Sequence, residues 1–272
     1  MMPSLGFFRM MLASGSRYLR TVLTLAEFEL RKLRHDSSEI FIRGVQPALW
    51  LLVFGVTFAS IRAIQTGPFT YLQYLTPGVL AQSVMFVAVF YGIMLVWERD
   101  LGLLNKLLST PAPRSAIVLG KALSAGVRRI FQAIMIFALA LIMNVSLTLN
   151  PLELMGAIIV IVLGGMCFSC ISMCLAPIFK TREKMMGIGQ AITMPLFFTS
   201  SAIYPIELMP EWLKAIAAVN PLSYVIEAMR TFLIPGYYEY YQPPLLLDIG
   251  ATLLATAIFA TIAALLFRRI LE

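Results

Sequence analysis

Long apolar runs alternate with short polar connections along most of this chain, and they predict helices rather than strands. Spanning helices are expected at residues 44–63, 74–97, 115–145, 152–178, 185–203 and 245–267. About 20 apolar residues suffice to cross a hydrocarbon layer of roughly 30 Å. The third run is cleanly apolar only over 130–145, and Arg128 and Arg129 precede it. Its helix is therefore expected to begin near Ser115 and to enter the bilayer around Arg128, with the arginines reaching lipid headgroups. The same two arginines could instead line a path for an anionic substrate. In the fourth run, Cys167, Cys170 and Cys174 accompany Gly164, Gly165 and Ser169, a set of small residues suited to close helix packing. Pro195 lies inside the fifth run, where it frees a carbonyl and permits a kink.

Three stretches are amphipathic rather than spanning. Leu19, Val22, Leu23, Ala26, Leu30 and Leu33 share one helical stripe, with Arg20, Glu27, Arg31 and Arg34 opposite. Such a helix suits the membrane interface, and Asp36-Ser37-Ser38-Glu39 resembles a capping box opening the next one. Residues 1–40 thus form an N-terminal interfacial segment and 41–272 the transmembrane domain; Arg9 interrupts the first apolar residues, unlike a signal peptide. The second stretch, 98–108, places Leu101, Leu104 and Leu108 on one face. The third, 195–230, carries two helix starts, Met209-Pro210-Glu211-Trp212 and Asn220-Pro221-Leu222. These pieces are too short to span, so they are expected to form a re-entrant hairpin between the fifth and sixth spans.

Composition agrees with an integral membrane protein. The chain has 272 residues, 60% of them hydrophobic and 13% charged, against about 25% charged in soluble domains. Its net charge of +7 does not call for nucleic acid, because the charges sort by loop. Of 21 Lys and Arg, 18 fall on the side of the termini and three, Arg62, Lys214 and Arg230, on the other. The positive-inside rule then makes both termini cytoplasmic.

Several chemistries are missing from the sequence. There is no G-x-x-x-x-G-K-[ST] loop for nucleotide phosphates, and with His35 the sole histidine no H-E-x-x-H. No nucleophile with a base is visible, so no enzyme activity, cofactor or metal is expected in this chain. The carboxylates Glu98, Glu153 and Asp248 stand at helix ends, which argues against a secondary transporter working alone. Weakly polar and aromatic residues within the spans are Gln82, Ser83, Phe86, Phe90 and Tyr91, and Gln190, Thr193, Phe197, Ser200 and Ser201. This mix suits a cavity for a lipophilic substrate, though each residue also suits ordinary helix packing.

The order Ser-Ser-Ala-Ile-Tyr-Pro, Met-Pro-Glu-Trp-Leu, Asn-Pro-Leu-Ser-Tyr and Glu-Ala-Met-Arg over 200–230 resembles the ABC type-2 transporter permeases. Residues 71–118, with Thr76-Pro77-Gly78, resemble the daunorubicin-resistance drug-exporter branch. The resemblance implies an all-α membrane fold of six spans, with an N-terminal interfacial helix, a cytoplasmic coupling helix and an extracellular re-entrant hairpin. It implies export of a drug-like or lipid-like amphiphile, powered by ATP and Mg in two separate cytoplasmic ATPase subunits. A second permease, identical in a homodimer, would complete the complex in the plasma (inner) membrane. Glu98, Arg99, Asp100, Leu101, Gly102, Leu104 and Leu108 would form the coupling helix. The second and fifth spans would line the substrate path. Tyr204, Pro205, Pro210, Trp212, Asn220, Pro221, Tyr224 and Arg230 would form the outer lid. A polysaccharide or glycolipid exporter is the alternative within the family.

Overall fold

A computed structural model of the chain describes residues 18–28, 31, 44–61, 64–109, 112–179, 181–241 and 244–267. Among them the regular elements are all helical. They are α1 (18–28), α2 (Gly44–Ile61), α3 (Tyr71–Asp100), α4 (Leu103–Leu108), α5 (Arg114–Ile142) and α6 (Pro151–Leu175). Then follow α7 (Arg182–Phe198), α8 (Glu211–Val219), α9 (Pro221–Leu233), the single turn α10 (Tyr237–Tyr240) and α11 (Leu245–Leu266). The capping box expected at 36–39, the apolar stretch 1–16 and the boundary at residue 40 lie outside the described residues.

Among the described residues five helices, α2, α3, α5, α6 and α11, are long and apolar enough to cross a membrane. The fifth expected span differs from its forecast, for α7 ends at Phe198 rather than at 203 and has 17 residues. Pro195 has no N–H to offer its own helix, and the last turn finds other partners. Ser200 donates its hydroxyl to the Phe197 carbonyl at 2.7 Å, and the Asn220 amide donates to the Leu196 carbonyl at 2.7 Å. The residues up to Tyr204 then turn instead of continuing the helix.

The second span is longer than its apolar run. Thr70 and Gln73 cap α3 reciprocally, with Gln73 N–H donating to Thr70 Oγ1 and Thr70 N–H to Gln73 Oε1. At its far end α3 continues through Asp100, so the single helix expected over 98–108 is in fact two pieces. Glu98, Arg99 and Asp100 belong to the last turn of α3, and Gly102, at φ +69°, reverses the chain into α4.

Helix α6 occupies the centre, packed against α3, α5, α9 and α11. It approaches α5 backbone to backbone, since a Cβ on Gly165 would lie 2.8 Å from the Gly126 Cα. Cys167, Cys170 and Cys174 are free thiols buried along the same helix. Helix α2 flanks α3, and its residues Trp50–Gly55 are wound as a π-helix. Helix α7 also packs principally on α3. Large apolar side chains face outward: Ile142, Leu152 and Leu246 are all more than three-quarters exposed. In hydrocarbon such surface needs no cover, because the bilayer is its solvent.

The two ends of the bundle differ. One gathers the connections around residues 64–70, 143–150, 199–210 and 234–241, joined by hydrogen bonds such as Gln73 Nε2 to the Ser146 carbonyl and Thr148 N–H to the Leu233 carbonyl. The other holds α1, α4 and the start of α5, with Leu104 buried against Ile117 and Val118. On α1, Val22 and Ala26 are buried while Leu19 and Leu23 stay exposed, so only part of the expected apolar stripe meets protein.

Candidate functional site

A cleft of about 340 Å³ opens between α2, α3, α5 and α7. Gln46 and Pro47 line it from α2, Gln82, Ser83, Phe86 and Phe90 from α3, Gln132 from α5, and Met186, Gln190, Thr193 and Met194 from α7. Five residues expected on the substrate path, Gln82, Phe86, Phe90, Gln190 and Thr193, therefore meet in one place. Helical spacing explains the convergence. Gln82, Phe86 and Phe90 recur every four residues on α3, and Met186, Gln190 and Thr193 every three or four on α7.

The polar groups of the cleft are unequally satisfied. Ser83 donates to the Leu80 carbonyl and Thr193 to the Gly189 carbonyl, so both hydroxyls spend their protons on their own helices. Gln82 is 2% exposed, and neither its amide nitrogen nor its amide oxygen has a partner among the described residues. Among the described residues, none of those lining the cleft carries a charge.

Four other expected path residues lie off the cleft. The Tyr91 hydroxyl pairs with Ser124 Oγ of α5 at 2.8 Å, and its ring lies 5.7 and 5.9 Å from the Arg128 and Arg129 guanidinium carbons. Phe197 is buried edge-on against Trp50. Ser200 caps the end of α7, and the Ser201 carbonyl accepts from Arg230 Nη2.

The residues expected in a lid surround a buried charge pair at the end of the bundle opposite α4. Arg230 has no exposed surface. It donates to Glu227 Oε1 at 2.6 Å, to the Ser201 carbonyl at 2.5 Å and to the Tyr74 carbonyl at 3.2 Å, and its guanidinium lies 3.4 Å from the centre of the Tyr74 ring. Glu227 also accepts from the Tyr237 hydroxyl at 2.6 Å. Burial, ahead of an opposing contribution from Arg230, pushes the Tyr237 phenol well above its ordinary value, so it remains a donor. One arginine thereby joins α9, α3 and the connection after α7. Asn220 caps α9 through Leu222 N–H, as expected from Asn220-Pro221, while its amide reaches back to α7. Tyr204 and Tyr224 donate to the nearby carbonyls of Phe198 and Ala218. Pro205 and Pro210 start the short helical turns that follow them, and Trp212 is exposed.

At the other end, the residues expected to couple are split by burial. Glu98 is buried and accepts from Lys121 Nζ of α5 at 2.5 Å. Arg99 pairs with Asp100 at 2.9 Å. Leu101 is 68% exposed beside Gly102, whereas Leu104 is buried; the side chain of Leu108 lies outside the described residues.

Some groups escaped the sequence reading. Gln46 and Gln132 join the cleft although each is a lone amide in an apolar run. Glu227 was missed as the partner of the expected lid residue Arg230, although the two stand at i, i+3 on a helix, a spacing that signals a pair. Asp248, in the first turn of α11, is fully buried, and its two oxygens have no hydrogen-bond partner among the described residues. Nothing in the local sequence distinguishes it from an exposed acidic helix start.

Comparison with known proteins agrees with this arrangement. A model of the ABC-2 type transporter family matches residues 20–234. A relative from Cyanophora paradoxa, ycf38, described as a transport permease, is 29% identical over 85% of this chain and 82% of its own. The daunorubicin resistance ABC transporter permease protein DrrB1 of Streptomyces coeruleorubidus is 26% identical over 98% of this chain and 94% of its own. The inner membrane transport permease YadH of Escherichia coli K12 is 22% identical over 86% of this chain and 91% of its own. With most of the chain inside the family match and five helices fit to span a bilayer, this protein belongs to the ABC-2 type transporter family and is a multi-pass membrane permease.

Proposed function

We propose that this permease exports an amphipathic, drug-like or lipid-like substrate, driven by separate cytoplasmic ATPase subunits. The observation that carries the reading is the uncharged cleft between α2, α3, α5 and α7, where aromatic, thioether and amide groups converge from four helices. Such a lining suits a molecule with an apolar body and few polar groups. The drug-resistance role named for DrrB1 points to the same substrate class.

In this reading the protein lies in the plasma (inner) membrane with both termini, α1 and α4 on the cytoplasmic side, an orientation that the charge distribution supports. Helix α7 and the turn after it then form the fifth of six crossings, and Ser200, Ser201 and Ala202, all buried, carry the chain onward inside the protein. Helices α8 and α9 are the outer re-entrant hairpin. The exposed Leu101 and the end of α3 meet the ATPase, and the Glu98–Lys121 pair passes the displacement to α3 and α5. Two ATPases, each using ATP and Mg, and a second identical permease complete the complex. This chain itself contributes no catalysis, cofactor or nucleic-acid contact.

Purification with tagged permease tests the reading. An ATPase should co-purify, and its ATP hydrolysis should be coupled to substrate flux into inverted vesicles. Leu101→Asp with Leu103→Asp should uncouple the two while the permease still folds, because both side chains are exposed. One observation favours a second reading, an ion-coupled transporter without ATPase: the buried, unpartnered carboxylate of Asp248. Flux by the purified permease alone, abolished in Asp248→Asn, would establish that reading in place of the first.

A further inference from the structure

The cleft holds four glutamines, one from each helix around it: Gln46 on α2, Gln82 on α3, Gln132 on α5 and Gln190 on α7. Each amide offers both donors and an acceptor. Resting on the export reading, we infer that the cleft selects the uncharged, hydrogen-bonding head of an amphiphile, such as a hydroxyl- or amide-bearing group, and rejects charged heads.

Gln82 supplies the first argument. A buried amide with both ends unpaired is costly, and an apolar residue of the same size would avoid the cost. Gln82 belongs to the cleft wall although its two amide ends are covered, so a ligand group that both donates and accepts would pair with them once the side chain turns toward the cleft. The lone pairs of Ser83 and Thr193 are further acceptors, because their protons already serve their own helices.

The second argument is the missing counter-charge. Arg128 and Arg129 lie one turn from Gln132 on α5 and are the nearest cations along that helix, but they stand against Tyr91 and do not line the cleft. A phosphate or ammonium head would lose its water and meet only amide dipoles and apolar side chains, which is a poor exchange for an ion. A neutral polar head loses less and regains part of it from the amides that line the cleft.

The third argument is shape. At about 340 Å³ the cleft is near the small end of the roughly 300–1,000 Å³ range of ligand pockets, room for a head group rather than a whole lipid. Phe90, Met186 and Met194 of its lining are also exposed on the outer surface, which would leave an attached chain an apolar side to lie against.

The test uses the permease with its ATPase in proteoliposomes. Three short-chain lipids labelled with NBD on the acyl chain are compared, bearing a glucosyl, a phosphate or a trimethylammonium head, and dithionite quenching reads ATP-dependent transfer between leaflets. Transfer of the glucosyl probe should exceed that of either charged probe by about tenfold. Gln82→Met should reduce glucosyl transfer by about tenfold while raising the thermal midpoint of the permease, a combination that a packing role alone would not produce. Equal or better transfer of a charged probe overturns the inference, and so does an unchanged preference in Gln82→Met. If a bound, active ATPase moves none of the three probes, the head-group inference fails and export stands; if no ATPase binds, the export reading itself fails.

Discussion

Lys121 Nζ of α5 lies 2.5 Å from Glu98 Oε2 of α3, and both side chains are at least nine-tenths buried. The pair closes the end of the bundle where α3 hands over to α4. Removing one partner leaves a charge in a dry site, which costs about 3–5 kcal/mol, whereas replacing both with apolar residues costs far less. Glu98→Met and Lys121→Met should each lower the thermal midpoint sharply, and the double change should recover much of the loss. Thermal unfolding of the four proteins in detergent measures this coupling.

Arg230 is the corresponding tie at the opposite end. Its planar fork serves three acceptors on α9, α3 and the connection after α7. A lysine keeps the charge but cannot reproduce that geometry. Arg230→Lys should destabilise the permease by about 2–3 kcal/mol, and limited proteolysis should cut faster within residues 199–210. Equal cleavage rates would contradict the assigned role.

Asn220 caps one helix and closes another. Asn220→Ala removes the cap on α9 and leaves the Leu196 carbonyl without this donor, so the loss should exceed the typical cap value of about 1 kcal/mol. Asn220→Asp keeps the cap oxygen but not the donor and should retain only part of the stability. Denaturant titration of the three proteins separates the two contributions.

The Tyr237 phenol sets an alkaline limit. Its proton is held above the ordinary range in the folded chain, while the unfolded chain releases it near pH 10. Folding therefore binds a proton at high pH, so the stability from Tyr237 is complete below about pH 10 and declines as the pH rises further. Tyr237→Phe should flatten the fall in thermal midpoint between about pH 9.5 and 11, at the expense of stability at neutral pH from the lost bond to Glu227.

Much of this fold follows from local pattern. The hydropathy runs locate α2, α3, α5, α6 and α11 to within a few residues, and the Asn-Pro start at 220 is a true cap. Four-residue spacing brings Gln82, Phe86 and Phe90 to one wall, which is visible without coordinates. What is not visible depends on neighbours distant in sequence. The early end of α7 needs Asn220, 24 residues beyond Leu196, and the burial of Glu98 needs Lys121, 23 residues further along. Gln132 reads as a solitary polar residue until Gln46, Gln82 and Gln190 are seen around it. Tyr91 fits the expected path by composition, but a half-turn on α3 sends its hydroxyl to Ser124 instead.

Helix α7 borrows its support from α3 along its length and from Asn220 at one end. Mechanically it is a lever pivoted at Asn220, its far end near Arg182 seated on the bundle through the buried Met185. Its 17 residues span about 26 Å at 1.5 Å per residue. Tilting it by about 10° about Asn220 would swing the Arg182 end through roughly 4–5 Å while hardly moving the pivot. The cleft wall at Met186, Gln190 and Thr193 lies between that end and the pivot, so such a tilt would widen the cleft by a graded amount along the wall.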